Sequence, residues 1–387
     1  MKIAGIIAEY NPFHNGHAHH IAETRKKTGC DYIVVCMDGS YTQRGEVACL
    51  DKWTRARVAL ACGADAVFEL PALWAVNTAD YFARGGVTVL GKLGCDFLSF
   101  GSEDADLALL ERLADLREHE PKEISRAVQS KLSEGKSHAR ARGEALAQHL
   151  GLDADKLNAP NLTLGVEYIR AIRELKLNMQ PVVIPRIGGY HDSALGTFAS
   201  ASAIRDAVHR GENPAEAVPQ AMREHLPRIA QMHAPDDLLL HTLRSMTEDE
   251  IACLPGVAEG LEKRIARCVR EASSQEELID MLKCKRYTRA RIARLCAHAL
   301  LGVDRELQSR HPLPEYARIL GMREDARPLL AELKSRSALP IVSDAAKLQD
   351  NEIFHLECRA TDLRALQCNE SAERKAGQEF TQKFIRT

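Results

Sequence analysis

Five short apolar runs, spaced by segments of helix length, constrain this chain more than any other property. They occupy residues 3–8, 32–37, 66–70, 97–100 and 181–185 and are rich in Val, Ile and Phe. Runs of this length predict buried strands. The intervening stretches 16–27, about 52–62 and about 79–92 read as helices. Strand–helix alternation favours an α/β fold with a parallel, Rossmann-like sheet covered on both faces. A long helical insertion, about 104–178, separates the fourth and fifth runs. Gly211, Pro214 and Pro219 punctuate a boundary. Residues 1–215 are therefore expected to form the α/β domain, and residues 216–387 a mostly α-helical C-terminal domain.

Composition narrows the function classes. With 45% hydrophobic and 27% charged residues the chain is an ordinary globular protein. Its formal net charge of -2 predicts no bulk affinity for nucleic acid or membrane, so any RNA site must come from local clustering. No stretch approaches the length of a membrane span. The eleven cysteines include no C-x-x-C pair, which argues against a zinc ribbon or a thioredoxin-like site. Their odd number and the lack of a secretory leader predict reduced thiols and a cytoplasmic location.

The segment after the first run carries the chemistry. His14-Asn15-Gly16-His17 opens a helix directly after a strand, where free N–H groups and the helix dipole attract phosphate. Gly16 would let the backbone approach a ligand. The two imidazoles would donate to a polyphosphate as pyrophosphate leaves. In open α/β sheets ligands bind beyond the carboxyl ends of the strands, where this loop falls. A polar turn with incidental histidines is the plainer reading, and the strand–loop–helix context weighs against it. No metal ligand set is evident. After the fifth run, Ser200-Ala-Ser-Ala-Ile-Arg205 offers a second element: Ser200 or Ser202 as a helix cap, with Arg205 in the first turns.

Together the two elements resemble the nucleotidylyltransferase superfamily. The longer stretch Ile6 to His17, with Gln43-Arg-Gly-Glu46, Asp51-Lys-Trp53, Phe68-Glu-Leu-Pro71, Phe100-Gly-Ser-Glu103, Pro160 to Tyr168, Tyr190-His-Asp192, Glu259-Gly-Leu-Glu262, Lys285-Arg-Tyr-Thr288 and Tyr316 to Gly321, resembles the bacterial tRNA(Met) cytidine acetate ligase family. The likeness runs from residue 3 to about 345 and leaves the last forty residues without a counterpart. It implies an enzyme that uses ATP and acetate to form acetyl-adenylate and acetylates the wobble cytidine of elongator tRNA(Met), giving 4-acetylcytidine, AMP and pyrophosphate. It further implies that Ile7, Ala8, Glu9, Tyr10, Asn11, Pro12, Phe13, His14, Asn15, Gly16, His17, Ala18, His19 and His20 hold ATP. Gly101, Asn161, Arg186, Ser200 and Ser202 complete that site, and His14, His17 and Arg205 serve catalysis. A magnesium ion is expected with ATP. One departure stands out: Asp38 occupies a position in the Met37–Gly45 loop where the family pattern would have a neutral residue, beside the expected acetate or phosphate region.

Adenylation of acetate followed by attack of the cytidine amine needs no acyl-enzyme, so the cysteines are read as core residues. For RNA, Lys285, Arg286, Arg289, Arg291 and Arg294 cluster without an intervening acid, and Tyr287 among them is a candidate stacking residue. Lys136, Arg140 and Arg142 form a second, weaker cluster. No DNA or membrane partner is expected, and nothing in the sequence sets an oligomeric state. Two alternatives stay open: a small-molecule adenylyltransferase, which would not need the basic helical half, and a non-catalytic RNA-binding factor, against which the intact histidine motif speaks.

Overall fold

A computed structural model of the chain describes residues 1–136, 138–157, 159–187 and 195–387. The Tyr190-His191-Asp192 stretch lies outside the described residues. All five expected strands form: β1 (Ile3–Ala8), β2 (Tyr32–Asp38), β3 (Ala66–Leu70), β4 (Phe97–Ser102) and β5 (Gln180–Pro185). They pair in parallel in the order β5-β4-β1-β2-β3. Helices follow the strands as the alternation requires: α1 (Asn15–Thr28), α2 (Lys52–Ala61), the single turn α3 (Ala72–Ala75) and α4 (Ala79–Lys92). The insertion holds α5 (Leu107–Glu118), α6 (Lys122–Ser133), α7 (His138–Leu150), α8 (Ala154–Leu157) and α9 (Pro160–Glu174), and α10 (Ala201–His209) follows β5.

The sheet has two apolar faces. Ile21 of α1, Trp53 of α2 and Ile204 of α10 pack on one. Phe82 of α4 and Leu162, Val166 and Tyr168 of α9 pack on the other. Close approach of α4 to the sheet depends on Gly86, where a Cβ would lie 2.6 Å from Ile7 Cδ1 of β1.

The C-terminal half is mostly helical, with α11 (Gln220–Arg223), α12 (Leu226–Ile229), α13 (Asp236–Ser245), α14 (Glu248–Cys253), α15 (Leu261–Glu271), α16 (Gln275–Leu282), α17 (Arg289–Leu301), α18 (Arg305–Arg310), α19 (Arg327–Arg336), α20 (Glu352–Leu366) and α21 (Gln378–Thr381). Residues from α13 to α17 share a core of their own, around Leu243, Ile265, Leu282 and Ile292.

Three strands beyond residue 216 were not anticipated. The strand β6 (Ala317–Met322) pairs antiparallel with β3, and β7 (Ile341–Val342) and β8 (Ile385–Arg386) pair in parallel with β6. The sheet therefore has eight strands and takes in chain from both sides of the boundary expected at 215. The core on the α4–α9 face likewise continues through Leu301, Ile319, Leu333 and Phe354.

The cause of the miss is Arg318, in the middle of β6. A buried arginine argues against a central strand unless its charge is met. Here Glu69 Oε2 accepts from it at 3.0 Å, and Glu379 accepts from it as well. Lys52 joins both carboxylates, at 2.5 Å from Glu379. Glu357, held on the Ala72 amide, completes the group, and burial beside Glu69 pushes its carboxyl up. Two of these residues, Glu357 and Glu379, lie in the last forty, where the sequence alone offered no resemblance. Among the described residues no helix is long and apolar enough to cross a membrane.

Candidate active site

At the carboxyl ends of β1, β4 and β5 the two sheet faces part around a cleft of about 550 Å³. Its central element is the turn from β1 into α1. His14 is the N-cap of α1, and its Nδ1 accepts from the Gly16 amide at 3.1 Å. His17 Nδ1 accepts in turn from the His14 amide at 3.2 Å, and the two rings stack with centroids 3.7 Å apart. Both Nδ1 atoms are therefore acceptors, which puts the proton of each neutral imidazole on Nε2. Gly16 is required first by this arrangement: a Cβ there would lie 2.8 Å from the His14 ring.

Neutrality is enforced by the surroundings. Burial, reinforced by the Arg186 charge, pushes His14 down to about 3 and His20 down to about 4. Burial and the neighbouring His14 hold His17 well below the usual range too. His20 Nε2 lies 3.0 Å from Ser99 Oγ of β4. The pair at the helix start is thus a set of fixed neutral donors rather than a pair of imidazolium charges.

The second expected element joins the first. Ser200 caps α10 by accepting from the Ala203 amide at 3.2 Å, and Ser202 Oγ lies 3.1 Å from Ser200 Oγ. Arg205 reaches across to the Asn11 carbonyl at 2.5 Å and to Glu46 at 3.3 Å. At the mouth, Asn161 donates to Glu103 at 2.5 Å, and the same carboxylate accepts from the Leu162 amide at 3.1 Å. Gly101 and Arg186 adjoin, and a Cβ at Gly101 would lie 3.4 Å from Arg186 Cγ. Ile7, Ala8, Glu9, Tyr10, Asn11, Gly16, His19 and His20 line the cleft as well; Pro12, Phe13, Asn15 and Ala18 do not. Phe13 is buried in the core behind the loop, and Asn15 ties α1 to the Thr197 and Glu216 carbonyls.

Sequence reasoning set the loop after β2 beside the site but named none of its residues as binding residues. Thr42, Gln43, Arg44 and Glu46 line the cleft, with Ala79 and Phe82 of α4 and Tyr168 of α9. The Gln43 amide donates to Glu9 at 2.9 Å, and its side chain to the Asn77 carbonyl at 2.7 Å. The available signal was positional, since this loop leaves the same end of the sheet as the histidine loop. Asp38, in contrast, does not line the cleft. It is fully buried with one oxygen 2.6 Å from Arg55, whose guanidinium also binds the Glu9, Leu50 and Gly39 carbonyls. The extra carboxylate belongs to a packed ion pair beneath the loop, not to a substrate region.

The basic cluster is partly corrected. Tyr287 is buried in the α13–α17 core, with its hydroxyl 3.4 Å from the Ala258 carbonyl and Arg291 over its ring at 4.7 Å. Its ring faces are taken, so a base cannot stack on it in this conformation. Arg286 pairs with Glu259 at 2.7 Å, Arg289 grips Glu276 through both nitrogens, and Lys285 is exposed. Arg294 does not line the cleft; a Cβ at Gly45 would come 2.5 Å from its backbone nitrogen, so the loop after β2 rests on α17. Lys136 pairs with Glu134 and Glu144, Arg140 with Glu144, and Arg142 with Glu120. The cysteines carry no disulfide; seven are buried, and burial pushes Cys36 well above its usual range, but Cys253 and Cys284 are exposed and do not fit the expected core reading.

Comparison with known proteins follows this geometry. The HIGH Nucleotidyl Transferase family model matches residues 1–379. The chain is 36% identical to a tRNA(Met) cytidine acetate ligase of Acetivibrio thermocellus over 416 aligned residues, spanning the whole of both chains. It is 38% identical to one of Syntrophotalea carbinolica, covering 90% of this chain and 86% of that one. Among solved structures it resembles Thermotoga maritima TmcAL bound with alpha-thio ATP, with a TM-score of 0.89 and 32% identity over the whole of both chains. The apo form of that protein gives a TM-score of 0.91.

Proposed function

Because the chain belongs to the tRNA(Met) cytidine acetate ligases, we propose that it adenylates acetate with ATP and passes the acetyl group to the wobble cytidine of elongator tRNA(Met). The observation that carries this reading is the stacked His14–His17 pair, with both Nδ1 atoms tied to the backbone at the start of α1. An acetate oxygen attacks the α-phosphorus, the bond from that phosphorus to the bridging oxygen breaks, and pyrophosphate departs. Charge grows on the leaving oxygens, where the two Nε2–H groups and the free amides of α1 would donate. Arg205 fixes the loop that carries them through the Asn11 carbonyl.

In the second step the exocyclic amine of cytidine attacks the acetyl carbon. The bond from that carbon to the AMP oxygen breaks, and the amine loses a proton. A magnesium ion accompanying ATP would be held by phosphate oxygens and water, since among the described residues no group of three or more His, Cys, Asp or Glu is arranged to hold a metal. Contact of α17 with the loop after β2 supports an RNA path from Arg286, Arg289 and Arg294 to the cleft.

The test is mass spectrometry of nucleosides from tRNA incubated with the protein, ATP and labelled acetate. Labelled 4-acetylcytidine is expected, and His17→Ala should cut its formation about 10²-fold or more. ATP turnover without label in the tRNA would overturn the reading. Pyrophosphate release that answers to a phosphate ester and not to acetate would mark a small-molecule adenylyltransferase instead.

A further inference from the structure

The two walls of the cleft differ in kind. Donors line the α1–α10 wall, whereas α4 and α9 bring Phe82, Leu164 and Tyr168 to the other, with Asn161 and the exposed Thr163 beside them. Tyr168 is only 5% exposed, and its ring packs on Phe100 with centroids 5.4 Å apart. Its hydroxyl has no hydrogen-bond partner among the described residues, yet the side chain lines the cleft. The ring is held rigidly while the hydroxyl stays open to the cleft, so it offers a fixed donor to whatever enters. It sits two helical turns inward from Asn161, about 10 Å along the axis of α9, and so lies below the mouth of the cleft. Glu9, at the end of β1, is near enough to act on it electrostatically.

From this geometry we infer that the corner enclosed by Tyr168, Glu9, Ile7, Phe82 and Phe100 is the acyl subsite, taking a two-carbon carboxylate with one oxygen on the Tyr168 hydroxyl and the methyl group against the apolar side chains. The inference rests on the adenylation reading above. Burial raises the Tyr168 hydroxyl and the Glu9 carboxyl alike, which keeps the phenol a donor and favours a protonated acid. Such a pair complements an anionic oxygen that a second carboxylate would repel. The walls are fixed: Phe82 and Phe100 are almost fully buried, and Gly86 seats α4 directly on Ile7. A rigid corner of this kind discriminates by chain length, one methylene at a time.

Acetate-dependent exchange of labelled pyrophosphate into ATP, measured on the full-length protein, tests the assignment. Tyr168→Phe keeps the ring and removes the acceptor's partner. KM for acetate should rise about tenfold or more, the worth of a hydrogen bond to a charged group, while KM for ATP and the thermal shift produced by ATP stay within about twofold of wild type. Phe82→Leu should improve propionate over acetate by about tenfold, an outcome that a merely structural role would not produce. A wild type with no acetate-dependent exchange would remove the parent reading and the subsite with it. An active wild type whose Tyr168→Phe variant keeps its acetate KM, or loses ATP affinity instead, would overturn the subsite alone and assign the phenol to packing or to the nucleotide.

Discussion

Replacing Glu379 by Ala removes one carboxylate from a site where nothing can substitute for it. Lys52 is fully buried and Arg318 nearly so. Glu379 meets Lys52 at 2.5 Å, and it also accepts from Arg318 and from the Thr361 hydroxyl. With Glu379 gone, the two buried cations keep Glu69 as their ion-pair partner among the described residues, while burial beside Glu69 pushes the Glu357 carboxyl up. Breaking a buried ion pair from one side costs about 3–5 kcal/mol. For a chain of 387 residues the entropy of unfolding is about 0.8 kcal/mol/K, so Tm should fall by about 4–6 °C.

The loss should reach the cleft as well. A Cβ at Gly39 would lie 2.8 Å from Glu69 Oε1 and 2.9 Å from Glu357 Oε2, so the loop after β2 sits directly on this cluster. KM for ATP should therefore rise along with the drop in Tm. Glu379→Gln, which keeps the acceptor for Thr361, should fall between wild type and Glu379→Ala. Differential scanning calorimetry of the three proteins decides the matter. A Glu379→Ala variant melting within about 1 °C of wild type would refute the reasoning, since it would mean the buried charges are not mutually dependent.

Other outcomes follow from the same structure. The depressed histidines make the unliganded fold bind fewer protons than the unfolded chain between about pH 4 and the ordinary value of 6.5, so ΔG of unfolding should fall as pH drops through that window; His20→Asn should flatten the slope, and an unchanged slope would contradict the assignment. ATP brings anionic phosphate to the same imidazoles and should raise their affinity for protons, so calorimetry at pH 6 in buffers of different ionisation enthalpy should record proton uptake on binding. Changing Arg286 and Arg289 together to Ala should weaken tRNA binding and flatten its salt dependence by roughly 0.7–0.9 log units per lost phosphate contact, with ATP affinity as the unchanged control. Equal salt slopes for variant and wild type would leave these arginines as a solvated face held by Glu259 and Glu276.

What was legible in the sequence was what depends on neighbours along the chain. Strand positions and the histidine turn are local patterns, and Ile3–Ala8 running into a helix at Asn15 was visible as such. β6 was not, because the buried Arg318 makes sense only beside Glu69 and Glu379, which lie 249 and 61 residues away. Tyr287 misled for a related reason. Its basic flanks suggested an exposed ring, whereas Arg291 folds over that ring and the helices around it supply a core. Tyr168 closed a stretch that carried the family resemblance, yet gave no sign of a role, since an aromatic residue at helical spacing reads as packing until the cleft beside it is seen.

The pairing of β6 and β8 with the sheet also fixes when the molecule can be finished during synthesis. The outer edge of β3 is covered by a strand that begins at residue 317, and that strand is paired by one that ends at residue 386. A nascent chain that has emerged only as far as α10 carries the whole histidine turn, yet its β3 edge has open N–H and C=O groups and Lys52 lacks one of its two carboxylates. Such an edge is a template for pairing with other chains. Ile385 and Arg386 thus act as a latch on a sheet begun at Ile3.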